Sequence, residues 1–351
     1  MNISVCIITK NEAHYLRECL SCLKKYPFEI VVTDTGSEDD SVTAAKEYTD
    51  KVFFYEWNND FSAARNFCVA QATNDMVMIV DTDEFVQDFD WDGLCAVVEK
   101  NCDKVGRINL NNIYRRDGVL SSTNEKLSRI FDRRLYTYTG SVHEQITPIG
   151  DNDTFGTYET GITFKHVGYD GSPENIRKKT ERNIELLKRE LEKKEDAYIL
   201  YQLGKSYYMA GDYKEAEGCF ERATAFDLDP RLEYVLDMIV SYGYSMVNSG
   251  KAKEALAFSN LFDEFSYSAD YVFMMGIVCM NNALFDDAVG LFEKAKEYDS
   301  CNLCGVNSYL ADYNIGVIFE CLGHKEEAIK YYRRCEGYSK AEERISALTE
   351  K

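Results

Sequence analysis

The sequence predicts an α/β domain built on a mainly parallel, Rossmann-like sheet, followed by an all-α solenoid of helical hairpins. Three observations carry this expectation. Over about the first 100 residues, short apolar runs alternate with amphipathic ones. Polar and acidic residues gather where the apolar runs stop. From Ser172 the chain turns charged and helical and then repeats itself.

The elements follow in order. ISVCIIT (3–9) is a short continuous apolar run, the pattern of a strand buried on both faces. AHYLRECLSCLKKY reads as an amphipathic helix, EIVVTDT (29–35) as a strand, SVTAAKEY as a helix, KVFFYEW as a strand, DFSAARNFCVAQA as a helix and DMVMIVDTDE as a strand. Strands alternating with helices imply a parallel sheet covered on both faces, and such sheets bind ligands at the carboxyl ends of their strands. Beyond residue 104, RINLNNIYRRDG and LSRIFDRRLYTYTG read as strands of a mixed or antiparallel extension, followed by SVHEQITP and GITFKHVGY. Residues 1–171 are therefore expected to form one domain, 172–196 a linking helix and 197–351 a second domain.

The second domain is read from its repeats. Residues 197–230 carry Gly204, Tyr207, Gly211, Tyr213, Ala216, Phe220 and Ala223. These small and aromatic positions resemble a tetratricopeptide repeat, in which small residues let paired helices approach and aromatics fill the groove between them. Weaker copies surround Gly243, Gly276 and Gly316, at spacings of 39, 33 and 40 residues, so about four helical hairpins are expected. Such a solenoid serves either as a stabilising or self-associating appendage or as a concave surface for an acceptor or a protein partner.

Composition narrows the function classes. The 351 residues are 45% hydrophobic, enough for real cores, and carry a net charge of −20. That charge opposes binding to nucleic acid or anionic membranes. No charged and apolar leader precedes the first strand, and no apolar run reaches the roughly 18 residues of a membrane span, which reads as a cytoplasmic protein. Several of the twelve cysteines occupy apolar periodic positions as small hydrophobes. The pairs Cys19/Cys22 and Cys301/Cys304 lack the second ligand pair that a zinc site needs.

Polar residues at three strand ends outline one crevice: Thr9, Asn11 and Glu12 after the first strand, Asp34, Thr35 and Ser37 after the second, and Asp81, Asp83 and Glu84 after the fourth. Ser37 and Asp39 also fit helix caps. In Asp81-Thr82-Asp83, two carboxylates two positions apart on a bending chain can turn to one point. There a hard divalent cation takes oxygen ligands and neutralises a diphosphate.

VCIITKNEAHYLRECLSCL, IVVTDTGSEDDSV and MIVDTDEF together resemble the family 2 glycosyltransferases of GT-A fold, over about residues 1–170. WNNDFSAARNFCVAQATND (57–75) resembles a bacterial subgroup that includes lipopolysaccharide-core glucosyltransferase-like proteins and peptide S-glycosyltransferases of glycocin biosynthesis. The resemblance implies an inverting transfer from a UDP-sugar, glucose or a relative, to a saccharide, lipid-linked or peptide acceptor, with Mn²⁺ or Mg²⁺ as cofactor. It implies that Thr9, Asn11, Glu12 and Thr82 border the nucleotide, that Asp34 binds uracil or ribose, and that Arg65 sits near the base or diphosphate. Asp81 is implied at ribose or metal, Asp83 as the principal metal ligand, and His166 as a third ligand or phosphate partner. Arg65 also fits a structural ion pair with Asp60 or Asp81, and His166 a buried structural histidine. Inversion needs a base beside the acceptor; Glu144 in SVHEQI fits, with His143 as the alternative, since in a strand the two point to opposite faces.

The family's frequent QxxRW motif is absent, which argues against polysaccharide synthases. Two other classes compete. A nucleotidyltransferase would show a glycine-rich phosphate loop after the first strand, where IITKNEAHY has no glycine. An inactive repeat scaffold would lack the strand-end acids, which are present.

Overall fold

A computed structural model describes residues 1–116, 119–150, 155–169 and 173–349. The expected boundary at residues 171 and 172 lies outside the described residues. The chain divides into two compact units, Met1–Pro173 and Glu174–Lys351.

The first unit runs β1 (Ser4–Thr9), α1 (Ala13–Leu23), β2 (Glu29–Asp34), α2 (Ser41–Lys46), β3 (Val52–Phe54), α3 (Phe61–Ala70), β4 (Met76–Ile79), β5 (Glu84–Val86) and α4 (Trp91–Lys100). β6 (Val105–Arg116), β7 (Val119–Asp132), β8 (Tyr136–Thr139), β9 (Gln145–Pro148) and β10 (Thr157–Tyr169) follow. Eight strands form one sheet in the order β3-β2-β1-β4-β7-β6-β10-β5, while β8 and β9 pair separately. β1, β2, β3 and β4 are parallel, β7 runs antiparallel to β4 and β6, and β5 antiparallel to β10. The sheet is therefore mixed and mainly parallel in its first half, as the sequence predicts.

The continuous apolar runs are explained by burial on both sides. Val5 and Ile7 of β1 pack with Leu16 and Leu20 of α1 in one core. Between them, Cys6 packs with Cys68 and Val69 of α3 in the other. Side chains alternate across a strand, so both faces must be apolar when helices cover both.

Two strands differ from the sequence reading. The third is only three residues long. The fourth does not run on through the acids: β4 stops at Ile79, the chain turns, and Glu84 opens the new strand β5 beside β10.

At the amino end of the sheet, Glu29 gathers donors from three segments. It accepts from Ser4 Oγ, from Lys51 Nζ, and from Thr73 N at 2.8 Å and Thr73 Oγ1 at 2.5 Å. Partial burial alone would raise its carboxyl pKa, but these donors outweigh it and lower it to about 2.

In the second unit, α5 (Pro173–Lys193) precedes four helical hairpins. They are α6 (Ala197–Ala210) with α7 (Tyr213–Ala223), α8 (Glu233–Asn248) with a 3₁₀ segment Glu254–Leu261 and α9 (Phe262–Phe265), α10 (Ala269–Asn281) with α11 (Phe285–Ala295), and α12 (Tyr309–Cys321) with α13 (Lys325–Tyr332). α14 (Ser339–Thr349) follows. The marker glycines mark close approach: a Cβ at Gly204 would lie 2.5 Å from Phe220, at Gly276 2.7 Å from Phe292, and at Gly316 2.6 Å from Tyr332. Among the described residues no helix is long and apolar enough to cross a membrane.

Two outcomes follow. Because Glu29 has a depressed pKa in the fold, its contribution to stability is fully present above its ordinary value of 4.5 and is lost as pH falls towards about 2. Melting Glu29→Gln beside the parent chain from pH 6 to pH 2 should show a deficit that closes only over that acid window. In urea, Gly204→Ala should destabilise the second unit by about 1–3 kcal/mol through overpacking. Gly218→Ala, which meets open space on α7, should instead stabilise by up to about 1 kcal/mol through helix propensity.

Candidate active site

The strand order reverses at β1, with β2 on one side and β4 on the other. Such a reversal opens a crevice at the carboxyl ends of the strands. Thr9, Asp34 and the acidic turn after β4 all lie there.

The loops after β1 and β2 are tied together. Asn11 N donates to Ser37 Oγ at 2.9 Å, Glu38 N to Asn11 Oδ1 at 2.7 Å, Glu12 N to Ser41 Oγ at 2.9 Å and Ala13 N to Asp39 Oδ2 at 3.1 Å. The neighbouring loop thus satisfies amides at the open N-terminus of α1. Asn11 has φ 54°, a left-handed conformation that Asn tolerates. Asp34 is buried, and its Oδ1 accepts from Gly36 N and Ser37 N, both at 3.0 Å, so its carboxylate shapes this loop. Among the described residues the buried Thr9 hydroxyl finds no hydrogen-bond partner.

The NDFSAARN segment makes three attachments within about two helix turns. Asp60 caps α3 by accepting from Ala63 N at 2.9 Å. Asn66 clamps β8, donating to Tyr138 O at 2.9 Å and accepting from Tyr138 N at 3.0 Å. Arg65, only 6% exposed, projects to the acids: its Nη2 donates to Asp81 Oδ1 at 2.7 Å and its Nε pairs with Glu144. Its partners are thus Asp81 and Glu144, whereas Asp60 serves as the cap.

A second guanidinium, which the sequence reading did not single out, completes the cluster. Arg129 of β7 donates from Nη2 to Asp81 Oδ2 at 2.9 Å and to Glu84 Oε1 at 2.6 Å. Glu84 Oε2 in turn accepts from Asp81 N at 3.0 Å. Burial of Asp81 favours its neutral form, but the two guanidiniums hold its carboxyl well below the usual range. For Glu84 burial dominates and raises the carboxyl pKa despite Arg129. Tyr138, beneath Arg65 with its ring centre 5.8 Å from the guanidinium, is pushed up to about 12 by burial. The available signal for Arg129 was a charge in the apolar strand LSRIF, a placement that demands a partner.

Asp83 takes a different direction. Its Oδ2 lies 3.4 Å from His166 Nε2, and His166 Nδ1 lies 2.6 Å from the buried Asn112 Oδ1. Burial disfavours charging of His166, but Asp83 and the further acids outweigh it and raise its pKa. Among the described residues no three or more His, Cys, Asp or Glu come together to hold a metal ion. One carboxylate oxygen and one imidazole nitrogen converging at 3.4 Å nonetheless fit a divalent cation completed by phosphate and water oxygens. In this structure Asp81 is a partner of two guanidiniums rather than a member of that donor pair. Thr82 is buried inside the turn.

His143 and Glu144 lie in a bend ahead of β9, not in a strand, so strand alternation does not separate them. His143 has φ 49°, a conformation unusual for a non-glycine residue. Glu144, its side chain 11% exposed, is held by Arg65.

Fold and site together define a Rossmann-like α/β domain with an acidic crevice, joined to a helical-hairpin domain. Residues 4–147 match the model for glycosyl transferase family 2 and form a domain of that family. Residues 197–229 and 313–341 match tetratricopeptide repeats. A TPR repeat-containing protein of Synechococcus elongatus is 28% identical over 224 residues, covering 61% of this chain and 54% of that protein. The SPbeta prophage-derived glycosyltransferase SunS of Bacillus subtilis is 29% identical over 224 residues, covering 60% and 50%. The poly(ribitol-phosphate) beta-N-acetylglucosaminyltransferase TarS of Staphylococcus aureus is 26% identical over 168 residues, covering 44% and 29%. The matches thus cover about half the length of the first two relatives.

Proposed function

We propose that this chain is an inverting glycosyltransferase that moves a sugar, glucose or a relative, from a UDP-sugar to a saccharide, lipid-linked or peptide acceptor. The observation that carries this reading is the turn after β4. It directs Asp81 and Glu84 to two buried guanidiniums while Asp83 meets His166. Membership of residues 4–147 in glycosyl transferase family 2 supports it, as does the likeness to glycosyltransferase SunS.

The uridine lies against the tied loops of Thr9, Asn11, Glu12 and Asp34, with Thr82 bordering the nucleotide. Asp83 and His166 are the residues that hold the divalent cation, Mn²⁺ or Mg²⁺. When bound, the cation neutralises charge developing on the leaving diphosphate. His166 suits this place because a neutral imidazole whose Nδ1–H is donated to Asn112 presents a lone pair at Nε2. Arg65 orients Glu144, which accepts the proton from the acceptor's O–H or S–H. The freed electron pair forms the bond to the anomeric carbon, and the pair of the broken C–O bond leaves on the diphosphate oxygen. Attack opposite the leaving group inverts the centre. The repeats are assigned to a macromolecular acceptor, a protein partner or self-association.

The purified chain should release nucleotide from a UDP-sugar in a panel of UDP- and GDP-sugars, with Mn²⁺ stimulating release. Asp83→Ala should abolish metal-dependent donor binding in calorimetry. Glu144→Gln should retain donor binding and lose transfer by about 10²–10⁴-fold, the usual scale of general base catalysis. No UDP binding and no metal-stimulated release from any donor would contradict the reading. Transfer by Glu144→Gln at the parent rate would move the base to another residue, with His143 next.

A further inference from the structure

We propose that Arg129 is a positioning residue that fixes the shape of the turn from Asp81 to Glu84 and thereby aims Asp83 before any ligand arrives. The role rests on the glycosyltransferase reading for its consequence, but not for its geometry.

Arg129 sits near the carboxyl end of β7, 8% exposed, beside β4 through the pairing of Ile130 with Met78. One nitrogen, Nη2, donates to both ends of the turn: Asp81 Oδ2 at 2.9 Å and Glu84 Oε1 at 2.6 Å. The turn is then closed on itself twice, by Asp81 N to Glu84 Oε2 at 3.0 Å and by Glu84 N to Asp81 O at 3.1 Å. Arg65 takes the remaining oxygen of Asp81 from α3. The turn is therefore braced from β7 on one side and α3 on the other.

Asp83 lies inside the braced segment. Its carbonyl accepts from Val167 N at 3.1 Å and its carboxylate meets His166, so β10 supplies a third wall. Arg129 touches none of the groups assigned to the metal; it acts on them through the turn. Glu84, only 2% exposed, is explained at the same time, since its carboxylate joins the brace. A lysine could donate to both carboxylates from its one nitrogen, but on a flexible stem that holds the turn less firmly than a rigid planar guanidinium.

Two variants test the proposal. Arg129→Lys keeps the charge. Arg129→Met with Glu84→Gln removes the guanidinium together with one buried acid, so that Glu84 is not left as an uncompensated charge. Each is compared with the parent full-length chain by thermal melting, by Mn²⁺ titration with electron paramagnetic resonance, and by hydrogen exchange of the 81–84 segment without metal. The expected result is a folded double variant whose Mn²⁺ affinity falls about 10–100-fold, the usual effect of losing a partner behind a metal ligand. Its Asp81 amide should also exchange faster than in the parent. Arg129→Lys should bind Mn²⁺ with intermediate affinity.

A folded double variant with parent Mn²⁺ affinity and parent exchange overturns the proposal. Loss of fold in both variants also overturns it, because Arg129 would then hold the domain rather than the turn. If the parent itself binds no Mn²⁺, the metal-dependent reading of function fails, and the exchange comparison alone decides the role of Arg129.

Discussion

Arg65 and Arg129 hold the acidic crevice of the first domain together. Asp81 and Glu84 meet Glu144 from about 60 residues further along the chain, and like charges 4 Å apart in a partly buried site repel by about 4 kcal/mol per pair. Two guanidiniums, themselves buried, thread between them. Neither side of the cluster is tolerable alone, since an unpaired buried charge is strongly destabilising. The position of α3, the pairing of β7 with β4 and the bend before β9 all meet at this cluster, which makes the crevice a product of tertiary packing.

Seen from that cluster, the local devices fall into place. Asp60 starts α3 at the position from which Arg65 reaches the acids, and Asn66 fastens β8 so that the bend carrying Glu144 returns to the same place. On the far side of the sheet from the acids, Glu29 performs a comparable task at the amino ends of the strands, with Ser4, Lys51 and Thr73 around it. The two ends of the sheet thus both rely on a carboxylate that accepts from donors of distant segments.

Much of this was legible in the sequence where the signal is local. Parallel strands buried on both faces give continuous apolar runs, and the hairpin repeats give their small and aromatic residues at fixed offsets, so both domains could be read directly. The strand-end position of Asp34, Asp81 and Asp83 was also legible, because polar residues interrupt apolar runs there. What was not legible is pairing across distance. Arg129 meets Asp81 and Glu84 across 48 and 45 residues, and its only trace is a charge in an apolar strand. The apparent single strand through DMVMIVDTDE hid a turn and a second strand, because valine and phenylalanine suit both. The second hairpin was expected from its repeat copy around Gly243, but that its second arm is partly 3₁₀ left no trace in the residue pattern.

In the proposed site the neighbouring acids divide their labour: Asp81 and Glu84 pair with the guanidiniums, while Asp83 and His166, 3.4 Å apart, would hold the cation. A crystal structure of the chain with Mn²⁺ and UDP tests this most directly. Mn²⁺ should sit on Asp83 and His166, with Asp81 still hydrogen-bonded to both Arg65 and Arg129. A complex in which Asp81 has left the guanidiniums to ligate the metal, or in which His166 stands away from it, would contradict this division of the acids.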